Sequence, residues 1–187
     1  MNIDRLTAFE DAVLAIIMTI LVLELKEPDV VSVAGFWDLK LNFFAYALSF
    51  FWLGLMWMTH HNNWRLLSQV NNNTVVLTLV LLFFSSLFPY TTKIVAENFY
   101  NKTAQVFYGV IIIIISFLNI AISRNLGKIN PEAGLGLLYT SADRTVYIDL
   151  AIKLIGLILA LTVFPPAMMI SILIASCVIS IDSQLAK

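Results

Sequence analysis

Charged residues are scarce in this chain. Only 12% of its 187 residues are Asp, Glu, Lys or Arg, whereas 60% are hydrophobic and the mean hydropathy is +0.89. A soluble domain is about half apolar and about a quarter charged, so this composition excludes an ordinary soluble protein. The formal net charge of -1 leaves no basic surplus for a nucleic-acid partner. The composition predicts an integral membrane protein whose main solvent is the lipid bilayer.

Cysteine and histidine are also nearly absent. Cys177 is the single cysteine, which excludes an intrachain disulfide framework and any Cys-rich metal site. His60 and His61 are the only histidines, and neighbours on a helix point about 100° apart. Because so few ligands are at hand, we expect no metal site and no cofactor.

Long charge-free runs define the expected membrane spans. A helix needs about 20 mainly apolar residues to cross a bilayer core of about 30 Å. Three runs satisfy this directly, and Pro165-Pro166 divides the apolar stretch after residue 145 into two helices. The first span is long enough only when it reaches back to Arg5, which buries Glu10 and Asp11. The sequence predicts one all-α membrane domain, 1–187, with six transmembrane helices at approximately 5–25, 38–62, 72–94, 103–123, 145–163 and 166–182.

Two irregular places interrupt this pattern. Pro89 is expected to kink or end the third helix near its end. The segment Arg124–Arg144 contains several Gly and Pro residues and is expected to be an irregular cytoplasmic loop.

The distribution of Lys and Arg predicts the orientation. With six helices both termini share one side, and cytoplasmic loops are richer in basic residues. The terminal side carries more of them, namely Arg5, Arg65, Arg124, Lys128, Arg144 and Lys187, against Lys26, Lys40, Lys93 and Lys102 opposite. We expect both termini in the cytoplasm.

The first helix has two different faces. Ile16, Ile20 and Leu23 form one stripe with Thr19 beside it, whereas Asp11 points about 140° away from Ile16. One interpretation is that the stripe simply meets lipid or a neighbouring helix. The other is a hydrophobic constriction, in which several copies surround an axis and Thr19 supplies a nearby oxygen.

Polar residues in the second and fifth helices are expected to pair with one another or with neighbouring helices. At the end of the second helix, Trp57 and His60 suit the membrane interface, with a hydrogen bond from His60 to a carboxylate such as Asp11. Asp149 and Lys153 stand one helical turn apart, which predicts an intrahelical ion pair that lowers the cost of burial.

Several motifs together resemble one known family. The run Arg5-Leu6-Thr7-Ala8-Phe9-Glu10-Asp11 resembles the R-x-x-x-F-S-D signature of the transmembrane protein 175 family of potassium channels. Tyr46-Ala47-Leu48-Ser49-Phe50 and the Trp57-x-x-His60-His61 ending are similar to that family's second helix. Leu87-Phe88-Pro89-Tyr90-Thr91 is similar to the element that closes its third helix. The resemblance covers the first three helices in order.

The resemblance implies a fold and an assembly. Family members with one six-helix unit per chain are prokaryotic homotetramers that lack a re-entrant selectivity-filter loop. Their first helix lines the pore, and the narrowest ring maps to Ile16, with Thr19, Ile20 and Leu23 at the further pore positions. The family's helix-packing residues map to Arg5, Phe9, Asp11, Trp57 and His60. Glu10 replaces the signature serine, which adds a potential negative charge near the cytoplasmic entrance and leaves the serine's hydrogen bond open.

Together these features predict a function. We expect a passive, potassium-preferring cation channel in the inner membrane of a prokaryote, with K⁺ as the permeant ion, lipid as its surroundings and no enzymatic activity. The alternative is a proton-coupled secondary transporter that uses Glu10, Asp11, Asp149 or Lys153 as relay groups. A transporter would usually show helices broken at mid-membrane or repeated halves. A membrane-embedded hydrolase ranks last, because no nucleophile and base stand at a recognisable spacing.

Overall fold

The protein is a bundle of long apolar helices. The computed structural model describes residues 3–133 and 143–185, without the side chains of residues 143–145 and 182–185. This part of the chain contains helices and no strand. The eight α-helices are α1 (Ile3–Ile20), α2 (Val33–Asp38), α3 (Lys40–Trp64), α4 (Asn72–Ser86), α5 (Phe88–Glu97), α6 (Lys102–Ile129), α7 (Asp143–Thr162) and α8 (Ala167–Leu185), and short 3₁₀ turns follow α1 at Leu21–Glu24 and α6 at Pro131–Ala133.

Among the described residues, four helical segments are long and apolar enough to cross a membrane. They are Ile3–Glu24, Lys40–Trp64, Asn72–Glu97 and Lys102–Ile129. α8 contributes a shorter apolar segment, Ala167–Ile181, and α7 carries a buried ion pair within its length. The chain is therefore a multi-pass membrane protein.

The third segment is broken within its length. α4 ends at Ser86, α5 begins at Phe88, and Pro89 occupies the first turn of α5. Proline lacks the N–H that a continuous helix would need there. The expected break at Pro89 is confirmed, and the helix then runs on to Glu97, beyond the predicted limit of residue 94.

The expected loop after the fourth span is also shorter than predicted. α6 continues through Gly127 to Ile129, so residues 124–129 are helical. Leu126 is buried in the core, and the Asn130 side chain anchors the α3–α4 connection by accepting from the backbone N–H of Gln69 at 2.9 Å. The apolar periodicity of the helix thus outweighs a single glycine. Residues 134–142 of the expected loop lie outside the described residues.

An aromatic stack forms the centre of the bundle. The ring of Phe88 in α5 lies between those of Trp52 in α3 and Tyr108 in α6. Its centroid is 5.1 Å from the Trp52 centroid and 5.4 Å from the Tyr108 centroid. The Tyr108 hydroxyl lies 2.8 Å from Ser49 Oγ, which accepts a hydrogen bond from Thr92 Oγ1 at 2.9 Å. This buried hydroxyl cluster ties α3, α5 and α6 together without an unpaired tyrosine hydroxyl.

α7 and α8 form a close antiparallel hairpin. The turn contains Pro165 and Pro166, and α7 ends just before it. A Cβ atom at Gly156 would lie 2.0 Å from Ser171 Oγ, so only glycine permits this approach of the two helices. The hairpin packs on α6, and α8 also contacts α3.

Candidate functional site

One face of α1 is left uncovered within the subunit. Ile16 is 56% exposed, Ile20 38% and Leu23 77%, and Thr19 is exposed beside them. The Thr19 hydroxyl donates to the Ile16 carbonyl oxygen at 2.8 Å, which leaves its oxygen lone pairs facing outward as acceptors. The structure therefore brings all four sequence-predicted pore residues onto a single exposed stripe.

The opposite face of α1 is buried against the bundle. Leu14, Ile17 and Leu21 belong to the core, and the helix contacts α3, α4 and α5. Burial of these side chains fixes the rotation of α1 about its axis, because turning the helix would return apolar core residues to the surface. The exposed stripe is consequently a defined surface of the subunit.

Glu10 anchors the buried face through hydrogen bonds to α3. The side chain is only 1% exposed. Its Oε2 accepts from Trp64 Nε1 at 2.8 Å, and its Oε1 is paired with Nδ1 of the buried His60. The carboxylate thus links α1 to α3. It faces the interior of the bundle, so the expected charge at the cytoplasmic entrance was wrong.

His60 extends this cluster from α3 to α6. Its Nε2 lies 2.6 Å from Oδ1 of Asn119, a buried residue in the middle of α6. The two ring nitrogens of His60 thus connect Glu10 of α1 with Asn119 of α6. We use the name "Glu10 cluster" for Glu10, His60, Trp64 and Asn119.

Asp11 makes a separate contact with α3. Its Oδ1 accepts from Trp57 Nε1 at 2.8 Å, and the Trp57 ring stacks on His61 with a centroid distance of 5.4 Å. The expected bond of His60 to a carboxylate is confirmed, but the partner is Glu10 rather than Asp11, because the two acids point about 100° apart and Glu10 faces His60. Asp11 is partly exposed, whereas Glu10 is buried.

Arg5 and Phe9 lie outside these clusters. Both are exposed, Phe9 to 49%, and they continue the stripe of Ile16 towards the start of α1. Within the part of the chain that the structure describes, neither side chain makes a hydrogen bond, ion pair or ring contact. A single subunit therefore does not bring these two signature residues into the helix-packing network.

Two members of the Glu10 cluster were missed or undervalued in the sequence. Trp64 is recognisable only as an aromatic at helical spacing from His60. Asn119 was not predicted at all, although an amide within a long apolar run is itself a signal of a buried polar contact.

A second buried polar group lies in α7. Lys153 Nζ donates to Asp149 Oδ2 at 2.6 Å and to Ser116 Oγ of α6 at 3.0 Å, and it stands 5.4 Å from the centroid of the Trp52 ring. The predicted intrahelical ion pair is confirmed. Among the described residues, no group of three or more His, Cys, Asp or Glu side chains is arranged to hold a metal ion.

The chain matches the model of a known family over its first helices. Residues 5–89 match the family described as endosomal/lysosomal potassium channel TMEM175. This region contains the whole of the exposed stripe together with Glu10, His60 and Trp64, and it confirms the resemblance of the sequence motifs. Over these residues the chain is similar to the TMEM175 family. This is a family of potassium channels and not of enzymes.

Bacterial relatives support a prokaryotic TMEM175 protein. A potassium channel of Chryseobacterium sp. (strain P1-3) is 38% identical over 110 residues, which cover 59% of this chain and 57% of the relative. A potassium channel of Streptomyces collinus is 32% identical over 97 residues, covering 50% and 47%. The chain thus spans about half the length of the curated relatives that it matches.

A solved TMEM175 structure has the same fold. The crystal structure of a lysosomal potassium-selective channel TMEM175 homolog from Chamaesiphon minutus superposes with a TM-score of 0.81. The match covers 96% of this chain and 97% of the other at 21% identity. The helical arrangement therefore extends beyond residues 5–89 to nearly the whole chain.

Proposed function

We propose that this protein is the subunit of a passive, potassium-preferring cation channel whose pore is lined by α1. The observation that carries the proposal is the exposed stripe of Ile16, Thr19, Ile20 and Leu23, whose orientation is set by the buried face of the same helix. The match of residues 5–89 to a potassium-channel family and the similarity to bacterial potassium channels favour K⁺ as the permeant ion.

A pore requires several copies of α1 around one axis. The stripe leaves large apolar side chains unpartnered within the subunit, and a homotetramer would bring four stripes together. Phe9 and Arg5 lie on the same face and would then contact neighbouring subunits, which accounts for their lack of contacts in the isolated chain. We propose six spans in this subunit, with the α7–α8 hairpin completing the set and both termini in the cytoplasm of a prokaryotic cell.

Conduction through this stripe would depend on how well the apolar rings stay wet. Isoleucine and leucine offer no ligands to an ion, so a narrow ring of Ile16 excludes water and blocks ions, while a wider one passes them in single file. Thr19 presents an oxygen one turn further along, where an ion that has lost part of its hydration shell gains a ligand. Selectivity from such a pore would be modest.

Acidic residues near the far end of α1 would attract cations less strongly than their number suggests. Glu24 is paired with Lys93 at 3.0 Å, and Lys26 stands 3.9 Å from Asp29. These pairs cancel part of the excess negative charge expected from the sequence. Glu27 and Asp38 remain to concentrate cations there, an effect that salt would screen.

The experiment compares one substitution at two equally exposed isoleucines. Ile16→Asn introduces a polar ring and should raise conductance or change the K⁺/Na⁺ selectivity in planar bilayers, because an amide keeps the constriction wet. Ile155 of α7 is 57% exposed against 56% for Ile16, so Ile155→Asn is the matched control and should leave both quantities unchanged. Equal currents in Ile16→Asn and the unmodified channel would remove Ile16 from the pore.

The proton-coupled transporter is not favoured. The relatives carry the names of potassium channels, and the acids it would employ are engaged elsewhere: Glu10 with His60 and Trp64, and Asp149 with Lys153.

A further inference from the structure

A small polar cavity lies between α3, α6, α7 and α8, away from the exposed stripe. Its volume is about 30 Å³. The polar residues at its wall are Ser116, Asn119, Asp149, Lys153 and Ser176. A cavity of this volume has room for about one water molecule, and only a polar cavity retains one.

One oxygen at this wall lacks a partner. Asp149 is 3% exposed, and its Oδ2 accepts from Lys153. Its Oδ1 is buried and has no hydrogen-bond partner among the described residues. An unpartnered carboxylate oxygen in a buried site carries a large desolvation penalty, so a donor is required there.

The wall also presents a hydrogen-bond donor, the side-chain amide of Asn119. Asn119 turns its Oδ1 towards His60, which directs its amide nitrogen away from the imidazole. Among the described residues that nitrogen makes no hydrogen bond, and Asn119 belongs to the wall of the same cavity. The site therefore offers one acceptor and one donor, the combination that a water molecule satisfies.

We propose that this cavity is a binding site for an internal water molecule that bridges Asp149 of α7 to Asn119 of α6. A metal or alkali cation does not suit the site, because Lys153 already supplies a full positive charge to the same carboxylate. Water is neutral and can donate to Asp149 Oδ1 while it accepts from the Asn119 amide.

The water joins two polar groups that are otherwise separate. Asn119 contacts His60, which is paired with Glu10 of α1. With the water in place, hydrogen bonds run without interruption from α7 through α6 and α3 to the buried face of α1. The α7–α8 hairpin is thereby connected to the helix that carries the exposed stripe.

Filling the cavity with a larger side chain tests the proposal, because the change in Tm has opposite signs for a wet and a dry cavity. Ser176→Val adds a methyl group at the wall and loses little, because the Ser176 hydroxyl donates only to the Ile172 carbonyl of its own helix. If the site holds a bridging water, the methyl group displaces it, Asp149 loses its donor, and the apparent Tm falls by a few degrees. Cys177→Val, on the next residue and exposed, controls for a β-branched side chain in α8 and should leave the Tm unchanged.

A dry cavity gives the opposite result. Filling an empty space improves packing and raises the Tm of Ser176→Val, and this outcome would overturn the proposal. Steric overpacking is distinguished from loss of the water by repeating the substitution in an Asp149→Leu/Lys153→Met background, where no buried carboxylate needs the water. Loss of the destabilisation there supports the water site, and an equal drop in Tm contradicts it.

A high-resolution map of the unmodified channel in lipid gives an answer that does not depend on variants folding. A density peak within hydrogen-bond distance of both Asp149 Oδ1 and the Asn119 amide is the expected result. An empty cavity in a map that shows other ordered waters would contradict the proposal. Neither result depends on whether the channel conducts, so the water site and the proposed function can fail separately.

Discussion

Removing the carboxylate of Glu10 should destabilise the protein strongly. Glu10→Ala leaves the Trp64 N–H without an acceptor and Nδ1 of His60 without its partner, and both side chains are buried. Breaking a buried, hydrogen-bonded ion pair by removing one partner costs about 3–5 kcal/mol. For a chain of this length about 1 kcal/mol corresponds to roughly 2–4 °C in Tm, so the expected drop is about 6–20 °C.

Glu10→Gln should give an intermediate loss. Glutamine keeps one oxygen acceptor, which can serve either Trp64 or His60, but its amide group repels the other donor. The measurement is thermal unfolding of the purified protein in detergent, followed by the loss of the monodisperse peak in size-exclusion chromatography. Glu10→Ala, Glu10→Gln and the unmodified protein should rank in that order of increasing Tm.

Asp11→Ala is the matched control on the neighbouring residue. Asp11 carries the same charge but accepts one hydrogen bond at a partly exposed position, and a typical hydrogen bond contributes about 0.5–1.5 kcal/mol. Its Tm should therefore fall by much less. Equal losses for Glu10→Ala and Asp11→Ala would refute the reasoning, because they would show that burial of the Glu10 cluster adds nothing to its strength.

Three further predictions concern assembly, packing and charge. Asp11→Ala should chiefly lower the stability of the tetramer, and native mass spectrometry should show a smaller tetrameric fraction. Normal assembly of this variant together with an altered coupling of ion flux to pH would instead favour a transporter. Gly156→Ala should lower the Tm because its new methyl group meets Ser171. Gly127→Ala has open space around it and should raise the stability by roughly 0.5–1 kcal/mol. A higher Tm for Gly156→Ala than for Gly127→Ala would contradict the packing of α7 on α8. Lys93→Gln removes the cation that is paired with Glu24. K⁺ conductance should therefore rise at low ionic strength but not at high salt. A change in conductance that does not depend on salt would exclude an electrostatic origin.

Features that depend on helical periodicity were predictable from the sequence. The position of Thr19 relative to Ile16 and Ile20 follows from about 100° of rotation per residue, and the structure places all three on one exposed stripe. The Asp149–Lys153 pair follows from the same geometry, since residues four apart face each other on one helix.

Contacts between helices were not predictable in the same way. The partner of His60 depends on how α1 is rotated against α3, and that rotation is set by the burial of Leu14 and Ile17 rather than by local pattern. Asn119 joins the cluster from α6, more than fifty residues further along the chain, where nothing near it in sequence indicates its partner.

The ends of the helices were the features least predictable from the sequence. Gly127 and the charges around it suggested a loop, yet α6 continues because Leu126 is buried. The short α2 was missed because its only local signal is Ser32, whose hydroxyl oxygen accepts from the Gly35 N–H at 3.0 Å. Such ends are decided by a few contacts that composition and hydropathy do not record.

The reversal potential of the purified protein in liposomes or planar bilayers tests the central claim most directly. The measurement uses a K⁺ gradient without a proton gradient, and is then repeated with Na⁺ on one side. A passive channel predicts fast flux, with a reversal potential that follows the K⁺ gradient and shifts moderately towards the Na⁺ value in mixed solutions. Slow, saturable flux that requires or moves protons would contradict the account and would make the buried acids, rather than the exposed stripe, the working part of the molecule.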